Sequence, residues 1–520
     1  MKKYISIISI SGLLVLFSGC TDWLDLKPES EVVLDDFWKS ESDATEVAIA
    51  CYRSLIEEAS MHRMIVWGEA RSDNTEQGNS TNNDLVRVLN EEITSTNGYA
   101  NWASIYQTIN YCNTFLYFAP GVIDQDVNFT QGKYQALESE VLAIRALCYF
   151  YLVRAYKEVP LILEPSIDDT QDYFPAKSSE RQILDQIIAD LLKAEKSART
   201  NFLGESYPKA RVTKNMIRTL LADIYLWDQQ YENCIAMCDL VVADENLELE
   251  DAETMLQRLF FYGTSSEIIF SLPFDDDVLR NLAVRALYGS ISNQRGQLFF
   301  PVFMAESINS PFNFSVGSGK ESVDDYRFNM SVDASNKTLA EYYIFKYVGL
   351  YISVNQVTNT VSRAYTNISS NWVVYRLADV ILMKAEALVA LNRSENDLKE
   401  ALTLVNTTYL RSNFGEDADS LSFSSYASAA QMEELVLRER QRELLFEGKR
   451  WFDLVRLARR DNSTTRVKGF VTLKKSTSSQ SQSTVKLSVL DALYWPVPQS
   501  EIDGNKNLVQ NPYYELSSTN

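Results

Sequence analysis

Few residues in this sequence are placed to make or break bonds. His62 is the one histidine among 520 residues, which removes most histidine-based catalysis from consideration. Cys234 and Cys238 stand one helical turn apart, a spacing that two metal-binding thiolates could use. No second Cys or His pair accompanies them, however, and Cys51, Cys112 and Cys148 also fall within helical patterns. All five read as small buried hydrophobes, not as a zinc site or a disulfide framework. Paired carboxylates would suit glycoside hydrolysis. With 70 acidic residues some pair can always be proposed, and no nucleophile motif, metal set or phosphate-cradling loop accompanies one. The run Asp275, Asp276, Asp277 reads as a solvated loop. The sequence therefore points away from an enzyme, and no metal or cofactor is expected.

Cys20 is different. Lys2 and Lys3 form a basic start, and residues 5–17 are almost wholly apolar. Ser18 and Gly19 then precede the cysteine. This is the pattern of a secretory signal over residues 1–19, too short to span a bilayer stably. Leu16, Phe17, Ser18, Gly19 and Cys20 resemble a bacterial lipobox, in which the thiol is acylated and becomes the new N-terminus. Several acyl chains on one residue give stable anchoring, because each buried methylene adds about 0.8 kcal/mol. No other stretch reaches transmembrane length.

The net charge is −21, which argues against nucleic acid and against anionic ligands. With 46% hydrophobic residues, 28 Tyr and 8 Trp, the chain has ample material for a large core.

Helical period dominates the elements that must position any site. Asp43 and Glu46 resemble a helix start, and Val47, Cys51 and Leu55 then share one face. Leu137, Val141, Ile144, Cys148, Tyr151 and Ala155 alternate steps of four and three. Leu142, Tyr149 and Val153 fill a second face, so this helix is expected to be buried nearly all round. A weak internal repeat relates residues 221–226 to 377–382, each in a helix followed by a break and a second helix. Adding residues 43–59 with 100–118, and 134–156 with 179–198, gives up to four helix pairs. Stacked in the tetratricopeptide manner, they would bury a core that no single pair could bury. Residues 244–370 are irregular, with short strands expected at Ile268, Ile269 and Phe270 and over 342–348. Trp372 is read as opening a helix, and the Ser/Gln-rich run 476–483 as an exposed loop.

Several segments together resemble the SusD/RagB-like family. Cys20, Thr21, Asp22, Trp23, Leu24 and Asp25 are similar to its mature N-terminus, and Phe37-Trp38 and the segment holding Trp102, Tyr106, Ile109 and Asn110 also match. Arg145, Ala146 and Leu147, running on to Val159, Pro160 and Leu161, resemble its central helix. Lys157-Glu158 stands where Gly-Asp is usual. Arg376 to Asp379, continuing to Ala385, Glu386 and Ala387, is a further block. The most specific block is Glu439, Arg440, Gln441, Arg442, Glu443, Leu444, Leu445, Phe446, Glu447, Gly448, Lys449, Arg450, Trp451, Phe452 and Asp453. Trp495, Pro496, Val497 and Pro498, then Asn511-Pro512-Tyr513, close the pattern. These blocks read as scaffold: Gly448 can end or bend a helix, and Arg442, Glu443, Arg450 and Asp453 can make charge-assisted bonds that fix the C-terminal segment.

The resemblance implies a mainly α fold of stacked tetratricopeptide-like helix pairs with an irregular loop-rich region and a few short strands. It divides the chain into a signal (1–19), an N-terminal region (20–235) and a C-terminal region (236–520) of one body. It implies an outer-membrane, cell-surface lipoprotein that binds a nutrient, an oligosaccharide above all, without cleaving it, and delivers it to a SusC-like TonB-dependent transporter. A glycan site needs aromatic faces against sugar C–H surfaces and planar polar groups for hydroxyls, on loops over a rigid scaffold. The best candidate is the stretch 62–74 after the first helix, with Trp67, Arg71, Asp73 and Asn74; core packing stays open for Trp67, and a scaffold role for Glu69 and Asp73. The second is 288–327, with Tyr288, Arg295, Phe299, Phe300, Tyr326 and Arg327, where packing is the commoner role. The two regions are expected to meet. Two other classes stay open: a tetratricopeptide-like protein-binding scaffold without small ligand, and a glycoside hydrolase.

Overall fold

The computed structural model describes residues 37–167, 172–204, 207–289, 296–302, 304, 312, 325–336, 341–349, 352–355, 360–363, 368–413, 419–474 and 485–515. Cys20, Trp23, Arg295 and the run 476–483 lie outside these residues.

The first helix, α1 (Glu41–Leu55), begins where Ser40 caps it. The Ser40 hydroxyl accepts from the Asp43 N–H while the Asp43 carboxylate accepts from the Ser40 N–H, a capping box that satisfies two orphan donors. The start therefore lies upstream of the one read from Asp43 and Glu46. Two short helices follow, α2 (Glu58–Ile65) and α3 (Asn83–Leu89). Then come α4 (Ala103–Val122), α5 (Gln131–Tyr156), α6 (Glu180–Ala194), α7 (Lys214–Trp227) and α8 (Tyr231–Val242). Helix α5 is capped by Thr130, is buried on all sides beyond Leu137, and stops at Lys157 with φ of 69°.

After a loop-rich stretch carrying α9 (Leu282–Tyr288) and α10 (Tyr326–Ser331), the helical body resumes with α11 (Leu377–Leu391), α12 (Glu395–Ser412), α13 (Ala429–Glu443) and α14 (Arg450–Asp461). Helix α1 packs on α4, α5 on α6, α7 on α8, and α11 on α12; α8 in turn lies against α11. Ala222, Ala378 and Ala385 are fully buried where helices approach. The expected stack of helix pairs is thus observed.

Strands are few. β1 (Glu76–Gln77), β3 (Leu298–Phe300), β5 (Glu341–Ile344) and β4 (Val332–Asn336) form one antiparallel sheet in the order β1-β3-β5-β4. β2 (Ile268–Leu272) pairs with β8 (Trp372–Arg376), and β6 (Ile352–Asn355) with β7 (Thr360–Arg363). The strand expected over 342–348 ends at Ile344, where the chain turns. Trp372 opens a strand, not a helix, because β2 offers its run of residues 268–272 a buried partner. One hydrophobic core runs from Trp38 to Tyr514, and a smaller one fills the space between α11, α12 and α13.

The interior also holds a dense charge network. Arg376, 1% exposed, donates to Glu267 (2.6 Å), Glu443 (2.5 Å) and Glu447 (2.7 Å). Arg327 donates to Asp325, Glu439 and Glu443, Arg411 to Glu443 and Glu267, and Lys346 to Glu447. Burial opposes ionisation of Glu443, yet Arg411, Arg376 and Arg327 hold its carboxyl well below the ordinary range. Nearby, Gly68 meets the turn after α13 so closely that a Cβ on it would lie 1.9 Å from the Gly448 carbonyl oxygen. Gly448 itself has φ of 69°, a left-handed conformation.

Two outcomes follow for stability. Gly68→Ala forces backbone apart and is expected to cost about 3 kcal/mol or more. Arg376→Leu strips three buried carboxylates of a partner and is expected to cost on the order of 3–5 kcal/mol. Urea melts followed by circular dichroism measure both; midpoints within error of wild type would refute the packing described.

Candidate functional site

The stretch 62–74 is not a loop. It is the end of α2, a π turn at Val66–Ala70, and a tight turn, closed over by C-terminal segments. Trp67 is fully buried; its indole N–H donates to the Tyr99 carbonyl (2.8 Å) and its ring meets Tyr156 edge-on at 5.4 Å. Arg71 donates to Glu91 (2.6 Å) and to the Ala492 and Leu493 carbonyls (2.7 Å each), and lies 4.2 Å over the Trp451 ring. Asp73 accepts from Arg450 at 2.8 and 3.0 Å and from Gln441 at 3.0 Å. Asn74 donates to Glu69 and accepts from Gln441.

From the second region, Tyr288 is buried and its hydroxyl donates to the Phe446 carbonyl (3.2 Å). Phe299 and Phe300 are buried, and Arg327 belongs to the charge network. Tyr326 is half-buried at the start of α10. Arg295 lies outside the described residues. The two regions do meet: α9 packs on α2, and β1 pairs with β3 through Glu76 and Phe299. They meet in the interior, however. In this conformation Trp67, Arg71, Asp73, Asn74 and Tyr288 offer a ligand no surface, which corrects the placement expected from the sequence. The reason is that Glu69, Glu91, Gln441, Arg450 and the carbonyls of 99, 446, 492 and 493 already occupy their polar atoms.

Only His62 and Arg63 of that stretch come toward the surface. There they border a shallow cleft of about 420 Å³ with Asn82, Asn83, Asp84, Gly98 and Tyr99. Asn82 caps α3, accepting from the Leu85 N–H, and its amide donates to the Tyr99 hydroxyl (2.9 Å) and to Gln297 (2.7 Å). Asp84 accepts from the Gly98 N–H (3.0 Å). Arg63 donates to the carbonyls of Ala59, Gly98 and Asn101, which leaves N–H groups on both terminal nitrogens for a ligand. The Tyr99 phenol accepts from Asn82 and keeps its own hydrogen to donate. The His62 and Tyr99 rings meet at 6.2 Å and 63°. Burial lowers the His62 pKa, so the imidazole is neutral at pH 7, and burial raises that of Tyr99.

The cleft therefore combines two aromatic rings with hydrogen-bond donors and acceptors. Sequence reasoning missed Asn82, Asn83, Asp84, Gly98 and Tyr99. The available signal was the polar run Asn82-Asn83-Asp84 before an apolar helical pattern, and a Gly-Tyr pair just ahead of Trp102. Other cavities include one of about 550 Å³, mainly apolar, between Ile49, Ile56, Tyr207 and Leu272, and one of about 640 Å³ lined in part by α4.

The sequence model of the SusD family matches residues 307–514, and that described as "Starch-binding associating with outer membrane" matches residues 22–226. The chain belongs to the SusD/RagB-like family. Among relatives, SusD-like protein P38 of Formosa agariphila is 25% identical over 508 residues, covering 88% of this chain and 92% of that one. SusD-like protein P2 of the same organism is 25% identical over 485 residues, 88% and 91% of the two chains. Two solved SusD superfamily structures share the fold. The one from Bacteroides vulgatus has a TM-score of 0.72 at 18% identity, covering 92% of this chain and all of that one. The one from Bacteroides thetaiotaomicron has a TM-score of 0.67 at 21% identity, covering 92% and 99%. The SusD-like signature around Glu439 to Asp453 is thus scaffold, since Glu439, Arg440, Arg442, Glu443, Glu447, Arg450 and Asp453 are all buried in ion pairs.

One buried carboxyl of the Val66–Ala70 turn titrates unusually. Glu69 accepts from Asn74, Phe446 and Gly448, but burial outweighs these donors and pushes its pKa up to about 7. Because the folded value exceeds the unfolded one, the native state holds this proton longer. The associated stability is full below about pH 4.5 and is lost as pH rises through 7. Relative to Glu69→Gln, the wild type should lose on the order of 3 kcal/mol between pH 4.5 and 8. Chemical denaturation of both proteins across that range measures the difference; a constant gap would show that Glu69 is already ionised at the acid end.

Proposed function

We propose that this chain captures oligosaccharide at the cell surface, without cleaving it, in the cleft lined by His62, Arg63, Asn82, Asn83, Asp84 and Tyr99. The observation that carries this reading is the pairing of the His62 and Tyr99 rings with unspent Arg63 and Tyr99 donors on a rigid, helix-capped rim. Aromatic faces contribute apolar burial against sugar C–H groups, and each hydroxyl left unpaired costs about 1–3 kcal/mol, which gives selectivity. The neutral His62 and the acidic chain favour a neutral glycan over an anionic one. The description of the matching N-terminal family as starch-binding and associated with the outer membrane supports the same class.

In this reading Cys20 is acylated after removal of residues 1–19 and tethers the chain to the outer membrane. The captured glycan then passes to a SusC-like TonB-dependent transporter. The outer faces of the helix pairs are the surface that a transporter would meet, and a shallow open cleft lets ligand leave without any large motion of the scaffold. The interior position of the signature carboxylates also supports a binding role over hydrolysis, because none of them reaches the cleft.

His62→Ala and Tyr99→Ala together should weaken binding of a neutral oligosaccharide at least about tenfold, with melting temperature nearly unchanged. Isothermal calorimetry against a panel of starch, plant and host oligosaccharides measures this. Unchanged affinity in the folded double variant would reject the cleft, and release of reducing ends from any panel member would reject the non-catalytic reading.

A further inference from the structure

A further cavity shares no lining residue with that cleft. Its volume is about 640 Å³, and its walls include Trp102, Tyr106, Tyr173 and the apolar run 160–163. Three carboxylates border it, Glu164, Asp172 and Glu501. Among the described residues none of the three has an ion-pair partner, and no Lys, Arg or His lines the cavity. Trp102 is only 3% exposed, and among the described residues its indole N–H has no acceptor, unlike that of Trp67.

The walls are held in place by their own bonds. Asn113 donates to the Ile162 and Glu164 carbonyls, Asn110 accepts from the Ser166 N–H, Tyr106 donates to the Pro160 carbonyl, and Asn505 donates to that of Pro175. The segment carrying Glu164 is therefore fixed against α4 before any ligand arrives.

We propose that this cavity is a second binding site, for a small organic cation that carries an ammonium group beside a hydroxyl or carbonyl oxygen. The ammonium meets the carboxylates at the rim, which have no ion-pair partner among the described residues. The oxygen accepts from the Trp102 indole N–H, which has no acceptor among the described residues. The Tyr106 and Tyr173 rings cover the ligand's apolar face and add cation–π attraction. The volume suits a ligand of one or two rings. Two sources carry this chemistry, an amino sugar and an amino-acid amide. The assignment goes beyond the carbohydrate reading and does not depend on it.

The experiment uses the purified chain with four probes: the β-1,4 dimer of glucosamine, its N-acetylated counterpart, lysine amide, and a neutral glucose disaccharide. Calorimetry should show binding of at least one ammonium probe, about tenfold or more tighter than the two neutral sugars. The triple variant Glu164→Gln, Asp172→Asn, Glu501→Gln should remove that preference, and Tyr173→Ala alone should weaken the ammonium probe several-fold. His62→Ala with Tyr99→Ala should leave it intact, which separates this site from the cleft. Preferential binding of the glucosamine dimer or of lysine amide identifies the source. The proposal falls if neither ammonium probe binds, if neutral and charged dimers bind equally, or if the folded triple variant and Tyr173→Ala both bind like wild type.

Discussion

Glu443 sits in the interior with three arginines directed at it, and the arrangement of the C-terminal half depends on that convergence. An ionised carboxylate taken out of water costs several kcal/mol unless its partners are well placed. Here the partners come from different elements: Arg327 from α10, Arg376 from the end of β8, Arg411 from α12. Glu443 itself closes α13. No element can slide along its neighbour without leaving a charge unpaired. Glu267 and Glu447 extend the same constraint to the start of β2 and to the turn before α14. Hydrophobic burial holds the body together, but it is the demand that every interior charge be paired that selects one register for strands and helices.

A second constraint joins the two ends of the chain. Asp73 and Glu69 receive Arg450 and the Gly448 N–H, across more than 370 residues of sequence. Gly68 and Gly448 carry no side chains at the crossing, and only that lets the backbones touch. The turn after α2 is thus clamped from behind by the signature segment. Its outer edge, where His62 and Arg63 emerge, inherits that rigidity, and so does the rim built by Asn82 and Tyr99. A binding site on such a base loses little freedom when a ligand arrives.

These constraints explain what was legible in the sequence. The helices were readable because their apolar residues recur at helical spacing: α5 shows two apolar faces and is buried all round, and the repeated Leu-Ala-Asp blocks lie in α7 and α11. The scaffold role of Arg442, Glu443, Arg450 and Asp453 was readable from the density of opposite charges within fifteen residues. The site was not. Trp67, Arg71, Asp73 and Asn74 have the residue types of a sugar site, but those types serve equally to satisfy buried backbone carbonyls and carboxylates. Only partners hundreds of residues away, such as Arg450 and the 492 and 493 carbonyls, decide between the two uses. Trp372 misled for the same reason: its strand exists because β2 pairs with it, a non-local fact that helical periodicity after Leu377 concealed.

The same argument bears on catalysis. A carboxyl with a pKa near 7 beside other acids is the usual mark of a general acid or base, and Glu69 has such a value. Its surroundings give it another meaning. Both oxygens already accept hydrogen bonds from the chain, and the residue has no exposed surface. With no exposed surface, it has no route by which to hand that proton to a bound molecule in this conformation. The raised pKa records the cost of burying a charge where two chain segments must close on each other. In this fold the interior carboxylates hold the scaffold together, and polar and aromatic side chains such as His62, Arg63 and Tyr99 are the ones it leaves toward the outside.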